Sequence, residues 1–166
     1  MWGAVATVSE ERAQTIEGWD ESTIIKPGMV APQYTATMLD GTSIKSMELR
    51  GKVVLLNFWA TWCPPCRQEF TRVQKDIIDR YEGKDFVFIA LSRGEELQTV
   101  KDFMDKMGYK FPVGLDPDKK VYDLFAENYI PRNFVIDKTG VVQLATIGYT
   151  AEEFEAMLAK IDELVK

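Results

Sequence analysis

Cys63 and Cys66 are the only two cysteines in the 166-residue chain, and two prolines separate them. The pair stands where an apolar run, VVLLNFWA at residues 53–60, passes through Thr61-Trp62 into a helical pattern. A Cys-x-x-Cys at a strand-to-helix junction is a signature of thiol–disulfide chemistry. Geometry separates the roles of the two sulfurs. Apolar residues recur at Phe70, Val73, Ile77, Ile78 and Tyr81, and four steps back from Phe70 lies Cys66, which places Cys66 on the buried stripe. Cys63 falls one turn earlier, at the tip, where unpaired amides favour a thiolate and where a partner should reach it freely. Cys63 is therefore the expected attacking nucleophile and Cys66 the resolving thiol. Pro64 and Pro65 suit a first helical turn because their missing N–H groups would have lacked partners. They also remove two donors from around the thiolate.

What the chain lacks excludes a good deal. It has no histidine, so Ser-His-Asp and Cys-His catalysis, His-ligated haem and the common zinc and copper sites are ruled out. Two thiolates cannot complete a structural zinc site, so no metal and no cofactor is expected. A net charge of −6 without a long basic run argues against nucleic acid or an anionic membrane surface as partner. No stretch is long and apolar enough to span a bilayer.

The elements that must position the cysteines follow from the pattern. Residues 1–26 are weakly patterned and read as an N-terminal extension or tether, with Trp2, Ile16 or Trp19 as its means of packing; no Lys or Arg precedes Arg12, so it is not an intact secretory signal. Residues 27–166 read as one domain with a core of ordinary size. A hairpin is expected over residues 34–44 about the Asp40-Gly41 turn, then a short helical turn over 47–50. Residues 53–60 form a central strand, followed by a helix of about five turns to Tyr81. A strand over 86–91 and a helix over 95–107 come next. Asp116-Pro117 reads as a helix start that turns Val121, Leu124 and Phe125 inward. A hairpin of strands 134–136 and 141–147 leads to a last helix capped by Thr150 and Glu153. This order predicts an α/β fold, a central mixed sheet with helices on both faces.

The junction NFWATWCPPC, the helix after it, the strand ending in Arg93-Gly94-Glu95, and Ile130-Pro131 before the final hairpin together resemble the thioredoxin-like superfamily. Within it they are most similar to the TlpA/ResA-type thiol-disulfide oxidoreductases of the bacterial cell envelope. The resemblance covers residues 27–166. It implies a thioredoxin-like fold with an N-terminal β-hairpin and an extra strand–helix insertion. It also implies a cis Pro131 facing the cysteines, and an Ile130 whose backbone pairs with an extended substrate strand. Asn57 stands where many cytoplasmic thioredoxins bury an aspartate. Glu95 matches a family glutamate and is the candidate to take the proton of Cys66 and raise its pKa. Glu69, one turn after Cys66, is a second candidate for pKa tuning, although its place at the edge of the stripe reads as a solvated flank. Thr71 replaces a proline that often kinks this helix in relatives, so a straighter helix is expected. Trp62 is a candidate substrate platform, Trp59 a core residue, and Arg67 and Arg93 are solvated unless they favour the thiolate.

Function follows as an expectation: Cys63 attacks a partner's disulfide, Cys66 resolves the mixed disulfide, and an upstream thiol donor restores the dithiol. No histidine lies between the cysteines and two amides are missing, so the thiolate should be only modestly stabilised and the protein a reductant, in the periplasm or envelope, acting as a monomer. Two other readings stand beside it. One is a binding module that holds partners at Pro131 with a structural disulfide. The other is a peroxide-reducing relative, although the Pro-x-x-x-Thr-x-x-Cys frame of such enzymes is absent, since Thr61 lies only two residues before Cys63.

Overall fold

The computed structural model describes residues 20–166; Trp2, Ile16 and Trp19 lie outside the described residues. At its centre is β3 (Val53–Trp59), in which all seven residues are buried. A strand without a polar face must be covered on both sides. The described sheet has seven strands in the order β2-β1-β5-β4-β3-β6-β7. They are β1 (Thr35–Met38), β2 (Ser43–Lys45), β4 (Phe86–Arg93), β5 (Gly114–Asp116), β6 (Arg132–Ile136) and β7 (Val142–Ile147). β3 runs parallel to β4 and antiparallel to β6, so the sheet is mixed. A mixed sheet flanked by helices is the α/β fold that the order of strands and helices led us to expect.

Alternation along β3 divides the core in two. Val53, Leu55 and Trp59 face a cluster completed by Phe70, Val100, Phe111, Phe154 and Ile161, which come from helix α1 (Pro64–Phe70), helix α2 (Leu97–Met107), the loop before β5, and helix α4 (Ala151–Leu164). Val54, Leu56 and Phe58 face a second cluster with Ile25, Tyr34, Tyr122, Phe125 and Phe134. There the Phe58 ring meets Tyr122 edge-on at 5.2 Å and Phe125 at 5.8 Å. Asn57 shares the parity of Leu55 and Trp59, which directs its amide toward α1.

Three expectations need correction. The helix after the cysteines is not straight: α1 ends at Phe70 and a π-helical stretch runs over Gln74–Asp79. Thr71 causes the break without a proline. Its hydroxyl donates to Gln68 O at 2.7 Å while its own amide and that of Arg72 bond only three residues back. A threonine that bonds back to a helix carbonyl is known to bend helices. Next, Asp116 does not start a helix. It ends β5, and its carboxylate accepts from the amides of Val121 and Tyr122 at 3.1 and 2.8 Å, so the helix starts later as the short α3 (Tyr122–Phe125). Leu124 consequently points outward. Finally, the β5 pairing was invisible because the strand is three residues long. Gly114 allows it: a Cβ there would lie 2.8 Å from Thr37 O on β1 and 2.7 Å from the Leu91 side chain on β4. In the α4 cap the Glu153 amide donates to Thr150 Oγ1 at 3.1 Å.

Candidate functional site

Cys63 is the residue that caps α1, and its sulfur bonds Cys66 as a disulfide. Because Pro64 and Pro65 carry no N–H, the Cys66 amide is the first donor available in the turn, and it points at Cys63 Sγ at 3.3 Å. One donor rather than three surrounds that sulfur. Cys66 is fully buried, as its place on the stripe requires. Cys63 departs from expectation. With only 2% of its surface exposed it is not freely reachable at the tip. The loop before β6 covers it: Ile130 packs against the cluster that holds both cysteines, and its carbonyl oxygen lies 3.8 Å from Cys63 Sγ. The Ile130-Pro131 bond is cis, and the 3.8 Å contact shows that the sulfur faces this loop rather than turning from it.

Beneath the disulfide lies a cluster that the sequence reading undervalued. Glu69 is on α1 one turn past Cys66 and is 3% exposed, a buried group and not a solvated flank. Asn57 Nδ2 donates to its Oε1 and Asn133 Nδ2 to its Oε2, both at 2.8 Å. Asn57 and Asn133 are direct partners across β3 and β6. They bond each other at 2.9 Å, and Asn133 also reaches Thr146 Oγ1 at 3.3 Å. Burial disfavours the carboxylate more than these two bonds favour it, and the pKa of Glu69 rises from 4.5 to about 7. Glu69, Asn133, Thr146 and Tyr149 also line a small cavity.

Glu95 is held by three hydrogen bonds. Its Oε1 accepts from the Thr61 amide at 2.9 Å and from Ser92 Oγ at 2.6 Å, and its Oε2 from Thr61 Oγ1 at 2.6 Å. These bonds tie the end of β4 to the segment just before the cysteines. Arg67 Nη1 likewise bonds Thr61 O, at 3.3 Å. Arg93 stacks on the Tyr122 ring at 4.7 Å, on the far face. Trp59 is buried and Trp62 is 61% exposed beside Cys63.

Arg132, next to Pro131, drew no attention as a functional residue and is fully buried. Its guanidinium donates to Asn128 O at 3.1 and 2.7 Å, to Thr23 Oγ1 at 2.6 Å and to Ser22 Oγ at 2.6 Å. Thr23 also forms a bridge with Ala126, and the Glu127 amide donates to Ser22 O at 2.7 Å. Residues 20–25 are thereby strapped to the loop that carries Pro131. An arginine placed directly after an X-Pro in an otherwise apolar strand was the available signal, because a buried charge must find partners.

Comparisons with known proteins agree with this geometry. Residues 27–145 match the AhpC/TSA family. The thiol-disulfide oxidoreductase ResA of Bacillus thuringiensis is 38% identical over 135 residues, which span 81% of this chain and 78% of that protein. A solution structure from Bacteroides thetaiotaomicron, assigned as a protein disulfide isomerase, superposes with a TM-score of 0.82 at 36% identity, covering 87% of this chain and 92% of that one. The exposed lipoprotein thioredoxin of Streptococcus pneumoniae superposes with a TM-score of 0.64 at 26% identity, covering 80% of this chain and all of its own. A buried Cys66 beneath a Cys63 that faces a cis-proline loop, on this sheet and with these relatives, puts the chain in the AhpC/TSA family, among its ResA-like thiol-disulfide oxidoreductases.

Proposed function

We propose that the chain reduces disulfides of other proteins in the cell envelope, cycling between a Cys63/Cys66 dithiol and the disulfide. The observation that carries this reading is the 3.8 Å approach of Cys63 Sγ to the Ile130 carbonyl beside cis Pro131. An extended substrate strand that pairs with the Ile130 backbone displaces the cover of that loop over Cys63 and brings its own sulfur to it. The Cys63 thiolate attacks one substrate sulfur, the substrate S–S bond breaks, and the other substrate sulfur leaves as a thiolate that takes a proton. Cys66 then attacks Cys63 Sγ, the mixed disulfide breaks, and the second substrate thiol is released. Two electrons have passed to the substrate and the Cys63–Cys66 disulfide remains for a thiol donor to reduce.

The structure supports a revised division of labour between the two glutamates. Glu69, on the face of α1 that carries Cys66 and with a pKa of about 7, takes the Cys66 proton. When ionised it disfavours the thiolates, which lowers the oxidising power of the pair. Glu95 acts through Thr61, as a positioning residue for the strand-to-cysteine turn. Disulfide-bearing substrates fit an oxidising compartment, hence the envelope or periplasm. Among the described residues no helix is long and apolar enough to cross a membrane. We take the acting species to be a monomer, and envelope proteins with exposed disulfides to be its substrates.

Insulin reduction with wild type, Cys63→Ser and Cys66→Ser tests the activity. Wild type should turn over, Cys63→Ser should not, and Cys66→Ser should stall as a mixed disulfide. Unchanged cellular function in both variants would instead favour the binding-module reading. Equilibration with glutathione tests direction. A potential near the ~−120 mV of strong oxidants would reject the reductase reading. Consumption of hydrogen peroxide at a rate rivalling insulin reduction would favour the peroxidase reading.

A further inference from the structure

Tyr129 is one of two non-glycine residues with positive φ among those described, at 75°. A bulky side chain is disfavoured there and glycine is not. The backbone at this point is fixed without help from the ring. The Tyr129 amide donates to Asn128 Oδ1 at 2.8 Å, Tyr122 O–H donates to Tyr129 O at 2.7 Å, and Arg132 holds Asn128 O. The ring is half exposed, at 50%. A residue that folding does not favour, with its ring turned to solvent beside a reactive sulfur, points to use of that ring.

Its position says what the use is. Cys63 Sγ meets Ile130 O, and an exposed aromatic residue is bonded to each of these two: Trp62 precedes Cys63 and Tyr129 precedes Ile130. We propose that Trp62 and Tyr129 form an aromatic clamp that selects extended substrate segments with a large apolar side chain two residues from the reactive cysteine. The inference rests on the substrate-strand reading given above and adds a substrate class to it. Successive side chains of an extended segment alternate in direction, so the residues two places to either side of the substrate cysteine share its face and meet these rings. Aromatic contacts add to the buried area, because rings pair in offset or edge-on geometry. Backbone pairing at Ile130 gives affinity for any extended chain, whereas the two rings discriminate among flanks.

The test is a ratio of rates within one variant. Two cysteine peptides of otherwise identical sequence, one with Phe and one with Ser two residues to either side of the cysteine, are presented as glutathione mixed disulfides to the reduced full-length chain. They are also presented as thiols to the oxidised chain. Wild type should favour the Phe peptide roughly tenfold in kcat/KM, the scale of one good aromatic contact. Tyr129→Gly, whose backbone accepts φ of 75°, should bring the ratio close to one, and Tyr129→Phe should keep it. Because both peptides meet the same variant, a general loss of fold or activity cancels. A wild-type ratio near one, or an equal ratio in Tyr129→Gly and wild type, overturns the clamp. So does a dimer in sedimentation that Tyr129→Gly dissolves, which would assign the surface to a second copy of the chain. Should wild type react only as an oxidant, the reductase reading falls, while the ratio in that direction still decides the clamp.

Discussion

Arg132 and Asn133 are consecutive residues of β6 and point to opposite faces of the sheet, and each enters a buried polar cluster within reach of Pro131. On one face, Arg132 binds Ser22, Thr23 and Asn128. On the other, Asn133 and Asn57 bind Glu69. The first cluster is built on a cation that does not lose its charge under ordinary conditions. The second is built on an acid that burial brings to titrate near neutrality. A fixed charge can hold a loop in place at every pH, whereas a titrating one can exchange a proton with a neighbour. Under the proposed function the molecule separates the holding of the cis-proline loop from the handling of the proton, one on each face.

The largest effect expected is on the holding face. Arg132→Ala takes the donor from the buried Thr23 Oγ1 and from the part-buried Ser22 Oγ and Asn128 O, at about 0.5–1.5 kcal/mol each, and empties the space of a fully buried side chain. A total near ~4 kcal/mol should appear in urea unfolding, at pH 5 and pH 8 alike. Exchange with peptide disulfides should slow as the loop loosens. Equal stability to wild type would remove the strap from the account.

Glu69→Gln probes the other face, and its mark is a dependence on pH. The folded Glu69 keeps its proton up to about 7 while the unfolded one releases it near 4.5. Between these values the folded state binds more protons, so wild-type stability should fall as pH rises through this window and level off above it. The pKa difference corresponds to at most about 3 kcal/mol. Glu69→Gln should flatten that slope and stand above wild type at pH 8. It should also remove an inflection near pH 7 from the rate of disulfide exchange. A slope that persists in the variant would mean that another group titrates.

How much of this was legible beforehand depends on which residues are considered. The cysteine pair, the burial of Cys66 four residues before Phe70, and the cis Pro131 were accessible through spacing and resemblance. Glu69 was misjudged because helical periodicity places a residue on a stripe without revealing what covers its edge. The missing signal was present in VVLLNFW and RNFVI, where one asparagine interrupts each apolar strand. An amide buried in such a strand needs polar partners. The direct pairing of Asn57 with Asn133, however, appears only once the register of β3 on β6 is known. The break at Thr71 was hidden for a similar reason, since a hydroxyl bends a helix only if it bonds back. The cover over Cys63 depends on Ile130, distant in sequence and close in space.

Glu95→Gln separates positioning from chemistry on the cysteine side. The amide oxygen can still accept from the Thr61 N–H and Ser92, but the charge that strengthens all three bonds is gone, at a cost of about 1–2 kcal/mol. Exchange rates should drop with no change in the position of the inflection near pH 7, because that inflection belongs to Glu69. Displacement of the inflection would return Glu95 to the proton-handling role.

The smallest effect tests where the titrating cluster ends. Thr146 Oγ1 accepts from the same Asn133 nitrogen that donates to Glu69, but at 3.3 Å against 2.8 Å. Nδ2 carries two hydrogens, so the two bonds need not compete, and the longer one is the weaker. Thr146→Val keeps the shape, removes that acceptor and should cost less than about 1 kcal/mol. Asn133 retains its bond to Glu69, so the pH window of stability should stay where it is. If the midpoint moves instead, Asn133 is oriented from β7 as well as by Glu69, and the proton-handling face extends to the edge of the sheet.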